Sequence, residues 1–428
     1  MTQAIHRELR PGVRLTAVHT DKFKTSMLSL SLLAPLEADT AASNALLPYV
    51  LRRGTEAHPD MAALSAALDE LYGGSIEPFV RKKGETQAVG FVASFLDDAY
   101  ALDGSRILEP AAELLGELLL RPAIQDGVFR RDYVEGERAN LIDRIRAQMN
   151  EKRAYSIHRL TQEMCAGEAF GVDKLGDEAS AAAVSAESLW AAYQHLLATA
   201  PLEIYYCGSA PVERVETALR AAIPALPRSE RPVRPGCKIQ AEPAAAEPRL
   251  VTESLDVTQG KLALGFRTGG ISVWSEEHPA LLVFNAVYGG TATSKLFLNV
   301  REKLSLCYFA SSMLEKYKGL LLVSSGIEFQ NYEKAKGEIL AQLDACREGK
   351  IEDWELQAAK RAIVSSLRAG MDSQSRMEDY WSGQAAAGLE EDQEALIARV
   401  EQVTAAQVAE AARRTKLDTV YFLKGLEG

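Results

Sequence analysis

The amino-acid sequence predicts an α+β fold built from two duplicated domains, each a mostly antiparallel sheet covered by helices. The first observation is size, because 428 residues suffice for two to four domains at about 100–200 residues each. The second is a proline-rich stretch near the middle of the chain, and the third is an order of elements that recurs on both sides of it. Runs of strands followed by runs of helices are typical of α+β folds.

Six of the 16 prolines fall between residues 224 and 248. Proline lacks a backbone N–H and has a fixed φ, so a segment this rich in proline is neither a helix nor a central strand. We interpret it as an extended interdomain linker. The predicted organisation is an N-terminal domain of residues 1–228, a linker of residues 229–248 and a C-terminal domain of residues 249–428.

Each predicted domain begins and ends in a similar way. An apolar helix that ends in glycine lies near the start of each half, at positions offset by 235, and each half closes with a helix followed by a strand. Repeats this long indicate duplicated domains of about 200 residues, since solenoids repeat every ~20–50 residues. The matching segments are 45–54 with 280–289 and 184–207 with 403–423.

The remaining patterns place strands before helices in the first half. Period-2 alternation predicts strands at 14–18 and 27–33, and a hairpin turns at Lys83–Gly84 between Ser75–Val80 and Gln87–Val92.

Amphipathic spacing predicts long helices within 128–165 and 332–383. The apolar run 45–51 predicts a buried helix that begins near Pro48 or is kinked there, because proline inside a helix costs about 3 kcal/mol.

Composition and charge restrict the function. The net charge is −11, from 48 basic and 59 acidic residues, so the chain repels polyphosphate and we expect no nucleic-acid partner. The N-terminus has no apolar signal core, and no apolar run approaches the ~18 residues that span a bilayer, so we expect no membrane association. The five scattered cysteines form no CxxC pair, which favours reduced thiols and a cytoplasmic location.

Common catalytic motifs are absent from the sequence. The six histidines are too far apart for an i, i+4 pair on one helix, so neither HExxH nor HxxEH occurs. GxSxG, Walker A and GxGxxG motifs are also missing. Because zinc needs several converging ligands, these absences argue against the usual single-helix zinc sites.

A set of short motifs resembles the pitrilysin/insulinase zinc peptidases. Gly289–Phe297, with two glycines followed by Ser-x-Leu-Phe, precedes Arg301-Glu302 and a tyrosine at position 308. This pattern is similar to the signature in the second half of that family. Further stretches with the family's order and spacing are Leu68–Gly74, Arg81–Gly84, Glu137–Ile145 and Ala359–Lys360.

The resemblance implies two duplicated α+β domains arranged as a clamshell that closes on a peptide. It also implies a zinc site in the first half, formed by an HxxEH helix, whose glutamate is the base, and by a glutamate further along the chain. Zinc lowers the pKa of its bound water, and the base takes the proton.

The chain departs from this pattern at every zinc position. When Gly54–Thr55 is placed on the family's Gly-Thr after the motif, Ala45, Pro48 and Tyr49 stand where His, Glu and His belong. Arg144 stands where the downstream glutamate ligand belongs. Alanine offers no lone pair, proline cannot act as a base and a guanidinium repels a dication. We therefore expect no catalytic residue, no metal and no cofactor in this chain.

Arg301 and Tyr308, in contrast, match the family's pattern. The equivalent pair in the family faces the zinc site and contacts the substrate near the scissile carbonyl, so the resemblance implies substrate binding by these two residues. Arginine donates several hydrogen bonds, and a tyrosine hydroxyl can stabilise an oxyanion. Active relatives also bind extended substrate along the edge strand that corresponds to Ser75–Val80, but Pro78 removes one donor there and weakens such pairing.

The resemblance implies that this chain is a non-catalytic subunit of a bacterial, cytoplasmic zinc peptidase. It would pair with a sister chain that carries the HxxEH motif and the zinc, and this heterodimer would bind and process peptides; a homodimer is also compatible. One alternative is a structural or scaffold homologue with no role in proteolysis. Another is a metallopeptidase with non-standard ligands, for which Glu137, Asp143 and His58 are the candidates.

Overall fold

The computed structural model describes residues 4–228 and 230–426, which form two compact units. The predicted boundary positions 1, 229 and 428 lie outside the described residues. The first unit contains the chain up to Arg146, Val172–Gly236 and Ser373–Glu390, and the second contains Ala147–Gly171, Cys237–Asp372 and the chain from Glu391 onward. The units therefore exchange two segments and differ from the continuous halves that the prolines suggest.

The first unit consists of a six-stranded sheet, a two-stranded ribbon and its helices. Its strands are β1 (Ala4–Arg10), β2 (Val13–His19), β3 (Thr25–Pro35), β4 (Ser75–Lys83), β5 (Thr86–Leu96), β6 (Ile124–Gln125), β7 (Val128–Phe129) and β8 (Leu202–Gly208). Its helices are α1 (Ala38–Leu51), α2 (Met61–Glu70), α3 (Leu108–Leu120), α4 (Arg131–Ala147), α6 (Glu178–Ala182), α7 (Ala186–Thr199), α8 (Val212–Ala222) and α12 (Gln374–Ala387).

The second unit consists of a five-stranded sheet and its helices. Its strands are β9 (Arg249–Leu255), β10 (Gly260–Arg267), β11 (Cys307–Glu315), β12 (Leu320–Ile327) and β13 (Lys416–Gly425). Its α-helices are α5 (Lys152–Met164), α9 (His278–Asn285), α10 (Tyr332–Arg347), α11 (Asp353–Gly370), α13 (Gln393–Gln402) and α14 (Ala405–Arg414). Two π-helical segments, Ala286–Gly290 and Leu296–Lys303, follow α9.

The two sheets have the same topology. The first runs β4-β5-β3-β8-β2-β1 and the second runs β11-β12-β10-β13-β9, so β1 is an addition to a shared five-strand order. All pairs are antiparallel except β2 with β8 and its counterpart β9 with β13. This arrangement confirms the predicted α+β fold of duplicated, mostly antiparallel sheets, and it places β4 at a sheet edge as expected.

The recurring helix and strand at the end of each half are also present. Ser185 begins α7 and Thr404 begins α14, each through a capping box in which the side chain and the third helical residue satisfy each other's backbone N–H groups. The strand that follows α7 is buried along its whole length because it lies inside the sheet. The local sequence signals therefore define these elements.

Helix α1 differs from its expected start. It begins at Ala38, ten residues before Pro48, and continues through the proline to Leu51. Of the two expected alternatives, a start near Pro48 is therefore wrong, and a kink at Pro48 stays a prediction. The proline costs one hydrogen bond and about 3 kcal/mol. Four buried aliphatic side chains, each worth about 1.5–3 kcal/mol, outweigh that cost. They are Leu46, Leu47, Val50 and Leu51.

Helix α12 covers one face of the first sheet. Alternate residues of β3 belong to two different clusters: Leu28, Leu30 and Leu32 pack with α1 and α3, whereas Met27 packs with Met377 and Trp381 of α12. Since successive side chains of a strand point to opposite faces, the sheet lies between helices on both sides. Periodicity alone does not identify the sheet that a helix covers. The packing of α12 against the first sheet was therefore not predicted.

Helix α5 has the corresponding place in the second unit, where Leu160 and Met164 pack against Ala263 and Tyr421. The loop that follows it carries Glu168, whose carboxylate lies 2.7 Å from the guanidinium of Arg267 and 2.6 Å from the ammonium group of Lys318.

Both cations of this network are fully buried, with side-chain exposures of 1% for Arg267 and 0% for Lys318. Asp418 lies 2.9 Å from Arg267 on its other side. Burial, the largest single influence, raises the pKa of Glu168, but hydrogen bonds from Arg267 and Lys318 outweigh it and lower this pKa below 4.5. A buried charge network therefore joins the exchanged segment to the second sheet.

Replacing Glu168 with glutamine is expected to destabilise the second unit by about 3–5 kcal/mol, because it removes the shared anion between two buried cations. The midpoint of urea unfolding, followed by circular dichroism, measures this effect. Glu348→Gln is the matched control, since Glu348 pairs with Lys350 on the surface and its loss is expected to cost less than about 1 kcal/mol. Equal shifts for the two variants would contradict the role of the buried network.

The same carboxylate predicts a pH dependence. Because the pKa of Glu168 is lower in the folded chain than in the unfolded one, its stabilising contribution is complete above about pH 4.5 and is lost as the pH falls further. The difference in unfolding midpoint between the wild type and Glu168→Gln is therefore expected to shrink below that pH. A difference that stays constant down to about pH 3 would argue against it.

Candidate functional site

Helices α1 and α4 bring together two of the positions that were predicted to stand in place of zinc ligands. The guanidinium carbon of Arg144, on α4, lies 3.6 Å from the centre of the Tyr49 ring, on α1. Ala45 lies one turn earlier on α1 and is fully buried, and Pro48 is also buried. A cation–π pair thus occupies the place where the resemblance implies a metal.

The donor set of this pocket does not fit zinc. Ala45 and Pro48 have no side-chain lone pair to offer, and Tyr49 presents its ring face to Arg144. Zinc in proteins is bound by thiolate, imidazole or carboxylate groups, and a guanidinium is a permanent cation. No chemical step through a metal follows from this arrangement.

An ordinary ion pair joins Arg53, just after the end of α1, to Glu137, which lies two turns before Arg144 on α4. A terminal nitrogen of Arg53 lies 3.3 Å from the carboxylate of Glu137, and the side-chain amide of Asn140 donates to the other oxygen of that carboxylate at 3.2 Å. Glu137 is buried. It is therefore engaged by its neighbours on both oxygens.

The three candidates for non-standard metal ligands do not converge. Glu137 is engaged as described above, whereas His58 Nδ1 lies 3.0 Å from the carboxylate of Glu117. Asp143 is exposed on α4. Across residues 4–228 and 230–426, no group of three or more His, Cys, Asp or Glu side chains is placed to hold a metal ion.

Arg144 is under-satisfied as a hydrogen-bond donor. Its Nε donates to the backbone oxygen of Asn140 at 3.3 Å, but both terminal nitrogens are shielded from solvent and have no hydrogen-bond acceptor within the described part of the chain. Charged donors that are shielded from water without acceptors cost several kcal/mol. The four N–H groups on the terminal nitrogens of Arg144 therefore have no acceptor among the described residues, and the guanidinium stacks on the Tyr49 ring.

The signature of the second half is in large part a structural device. A Cβ atom on Gly289 would collide with Ser312 and Leu296, because it would lie only 2.6 and 2.7 Å from their side chains, so glycine allows the close approach to β11. Lys295 forms a buried pair with Glu355 of α11 at 2.9 Å. Sequence reasoning missed this ion pair because the two residues are 60 positions apart.

Arg301 lies at the end of the second π-helical segment and is partly exposed. Its guanidinium carbon is 4.7 Å from the centre of the Phe297 ring, and its Nε is 3.5 Å from the carboxylate of Glu302. π-Helical turns are rare and are often found at functional sites. The guanidinium is accessible to a ligand.

Tyr308 is 59% exposed, and its hydroxyl donates a hydrogen bond to Glu328. That hydrogen bond, together with the charge of Glu328, raises the pKa of the Tyr308 hydroxyl. In the described structure no hydrogen bond, ion pair or ring contact joins Tyr308 to Arg301, so the fold places the two on adjacent elements without direct contact.

A β-bulge explains why Tyr308 points outward. On edge strand β11, Cys307 pairs with Ile327 and Phe309 pairs with Gly326, so Tyr308 is the extra residue of the ladder. Bulges of this kind re-aim a side chain and are over-represented at sheet edges and next to active sites. The signal is invisible in the sequence because it depends on the partner strand.

Comparison with known proteins agrees with this picture. A protein of Bacillus subtilis (strain 168) named probable inactive metalloprotease YmfF is 36% identical over 417 residues, which cover 97% of each chain. A model of the peptidase M16 inactive domain matches residues 183–363. The chain belongs to the peptidase M16 family. The resemblance to the pitrilysin/insulinase peptidases is thereby confirmed.

Solved structures place the M16 fold over the whole chain. A conserved protein from Enterococcus faecalis V583 superposes with a TM-score of 0.90 at 28% identity and covers 100% of both chains. A peptidase M16 inactive domain from Pseudomonas fluorescens has the same fold, with a TM-score of 0.81 at 18% identity over 99% of this chain and 98% of its own.

The chain is thus a homologue of an inactive M16 peptidase. Within the part of the chain that the structure describes, no helix combines the length and the apolar character that a bilayer crossing requires.

Rebuilding the M16 zinc ligands is expected to restore metal binding only when the guanidinium is removed. The variant with Ala45→His, Pro48→Glu, Tyr49→His and Arg144→Glu is expected to bind about one zinc per chain, measured by plasma mass spectrometry after dialysis. The control carries the first three changes and keeps Arg144, and it is expected to bind no stoichiometric zinc because of charge repulsion. Equal zinc content in both variants would contradict that argument.

Proposed function

We propose that this chain is a non-catalytic subunit of an M16-type zinc peptidase. It pairs with a sister chain that carries the HxxEH motif and the zinc, and the pair binds and processes peptides in the bacterial cytoplasm. In this proposal Arg301 and Tyr308 contact the peptide, and the isolated chain has no peptidase activity. In this proposal the chain and its sister form a heterodimer. A homodimer of this chain is the competing assembly.

The observation that carries the proposal is the contrast between the two units. In the first, the M16 metal positions are filled by Ala45, Pro48 and a Tyr49–Arg144 stack that offers zinc no ligand. In the second, Arg301 and Tyr308 remain accessible to solvent on a π-helical turn and a β-bulge. A chain that cannot activate water but presents hydrogen-bond donors fits a substrate-binding partner.

A scaffold role without proteolysis is the second candidate. The observation in its favour is the hydrogen bond from the Tyr308 hydroxyl to Glu328, which already uses the proton that an oxyanion would need. In the peptidase proposal, substrate has to displace Glu328 from Tyr308. In the scaffold proposal this hydrogen bond persists.

Isolation of the chain with its partner tests the pairing. Affinity-tagged chain, purified from a cell that encodes it, is expected to retain a second chain of similar length that carries HxxEH, and only the complex is expected to contain zinc and to cleave peptides. Peptidase activity of the chain alone, or recovery without such a partner, would contradict the proposal.

Substitutions at the pair separate the two candidates. In the reconstituted complex, Arg301→Ala and Tyr308→Phe are each expected to lower kcat/KM by about tenfold or more, since each removes a donor to the developing charge. The matched controls are Arg361→Ala and Tyr100→Phe, which alter exposed residues elsewhere and are expected to leave the rate unchanged. Unchanged rates for all four variants would favour the scaffold.

A further inference from the structure

We propose that strand β9 pairs with β9 of a second copy of this chain, antiparallel and about a two-fold axis, so that the two five-stranded sheets become one. This contact adds to the pairing with a sister chain. It is therefore distinct from the competing homodimer, in which a second copy replaces the sister. It involves the second unit alone and makes no use of Arg301 or Tyr308.

The first step compares corresponding strands of the duplicated sheets. β2 of the first sheet and its counterpart β9 of the second each pair in parallel with an inner strand, but only β2 has a further neighbour, the antiparallel strand β1. Five of the seven residues of β2 are buried, whereas none of the seven residues of β9 is buried. Within the described chain, the first sheet thus shows that an antiparallel strand covers this edge, and the second sheet leaves it open.

The second step is the protection of the other sheet edges. Open edges invite pairing with another chain, and proteins block them with bulges, prolines or charged side chains. The ladder of β1 has a register shift between Glu8 and Arg10, and that of β11 is bulged at Tyr308. β4 contains Pro78 and ends in the basic run Arg81–Lys83. The ladder of β9 has no register shift and the strand has no proline, so β9 lacks these devices.

The third step concerns the side chains of β9. Its two charged residues face α5, where Arg249 lies 2.5 Å from Glu163 and Glu253 lies 3.4 Å from Arg159. Successive side chains of a strand alternate between the faces of the sheet, so the remaining face of β9 carries no charge. The side chains on that face are exposed, and they belong to Leu250, Thr252 and Ser254.

The fourth step is the choice of partner. A two-fold contact needs a surface that complements itself. When Val251 lies on the axis, Arg249 stands opposite Glu253 of the other copy, and no like charges meet. Leu250 then stands opposite Thr252, and the two copies of Leu250 are diagonal neighbours about 7–8 Å apart. Because bulges, proline or charge block the other three edges of the two large sheets, the strand of a second copy that fits β9 is β9 itself.

Sedimentation equilibrium of the chain alone tests the contact. The wild-type chain of 46.6 kDa is expected to populate a species of twice that mass, with a dissociation constant below about 100 µM. Leu250→Lys is expected to weaken this dimer by about tenfold or more, because it places two ammonium groups at diagonal positions of the joined ladder. Leu102→Lys is the matched control, since Leu102 is 96% exposed in the first unit and its variant is expected to dimerise as the wild type does.

Disulfide cross-linking tests the register of the two strands. Residues directly opposite in an antiparallel ladder have Cα atoms about 4.5–5.5 Å apart, a distance that a disulfide spans. Val251→Cys is therefore expected to give a covalent dimer on oxidation, above the level that the wild-type cysteines give. Leu255→Cys is the control, because it lies on the same face of β9 and has no β9 residue opposite it in this register. Circular dichroism of each variant verifies folding.

Three outcomes would overturn the inference. A wild-type chain that keeps the mass of one copy up to about 100 µM would exclude self-pairing and leave the edge to a strand of another protein. A dimer that is equally stable in Leu250→Lys would exclude β9 as the contact, and equal cross-linking of Val251→Cys and Leu255→Cys would exclude the register. None of these outcomes bears on the rate effects at Arg301 and Tyr308, which are measured in the complex with the sister chain.

Discussion

The guanidinium of Arg144, 3.6 Å from the Tyr49 ring, determines what the first unit can do chemically. Two unit charges 4 Å apart interact with about 4 kcal/mol at an effective dielectric constant near 20, so a guanidinium repels a dication by about 8 kcal/mol. Complete structural zinc sites in small peptides are worth only about 10–16 kcal/mol. Because Ala45 and Pro48 also supply no ligand, small rearrangements of this pocket do not recover a metal site.

Buried charge also accounts for how the exchanged segments attach. In the first unit, Glu378 of α12 is 1% exposed and lies 2.6 Å from Arg81 on β4. In the second, Glu168 after α5 joins Arg267 and Lys318. Such networks add little net stability compared with apolar packing, but breaking one leaves an uncompensated charge. Apolar contacts therefore drive the packing of each helix against its sheet. The buried acids make one position of each helix far more favourable than others, because only that position pairs them with their cations.

Sequence patterns predicted the helices and strands better than they predicted which sheet each helix packs against. The periodicity, the prolines and the caps at Ser185 and Thr404 were sufficient for two duplicated sheets, because those signals are local. The placement of α5 and α12 was not predicted, because an amphipathic face does not name the sheet that covers it. The predicted start of α1 near Pro48 was wrong. The penalty for proline applies to one residue, whereas the buried side chains of the whole helix offset it. At the site, the family resemblance pointed to Tyr49 and Arg144, but their stacking became visible only with both helices in place.

Local costs distinguish a binding role from a purely architectural one. The bulge at Tyr308 interrupts a ladder, the π-helical segment before it lacks regular α-helical hydrogen bonding, and the shielded nitrogens of Arg144 have no acceptor in the described structure. Irregular backbone and charged donors without acceptors cost stability, and such features cluster at functional sites. Features of this kind are expected where a surface has to meet a ligand. The bulge at Tyr308 and the π-helical segment before it are therefore the features of the second unit that favour a ligand-binding surface over a purely architectural one.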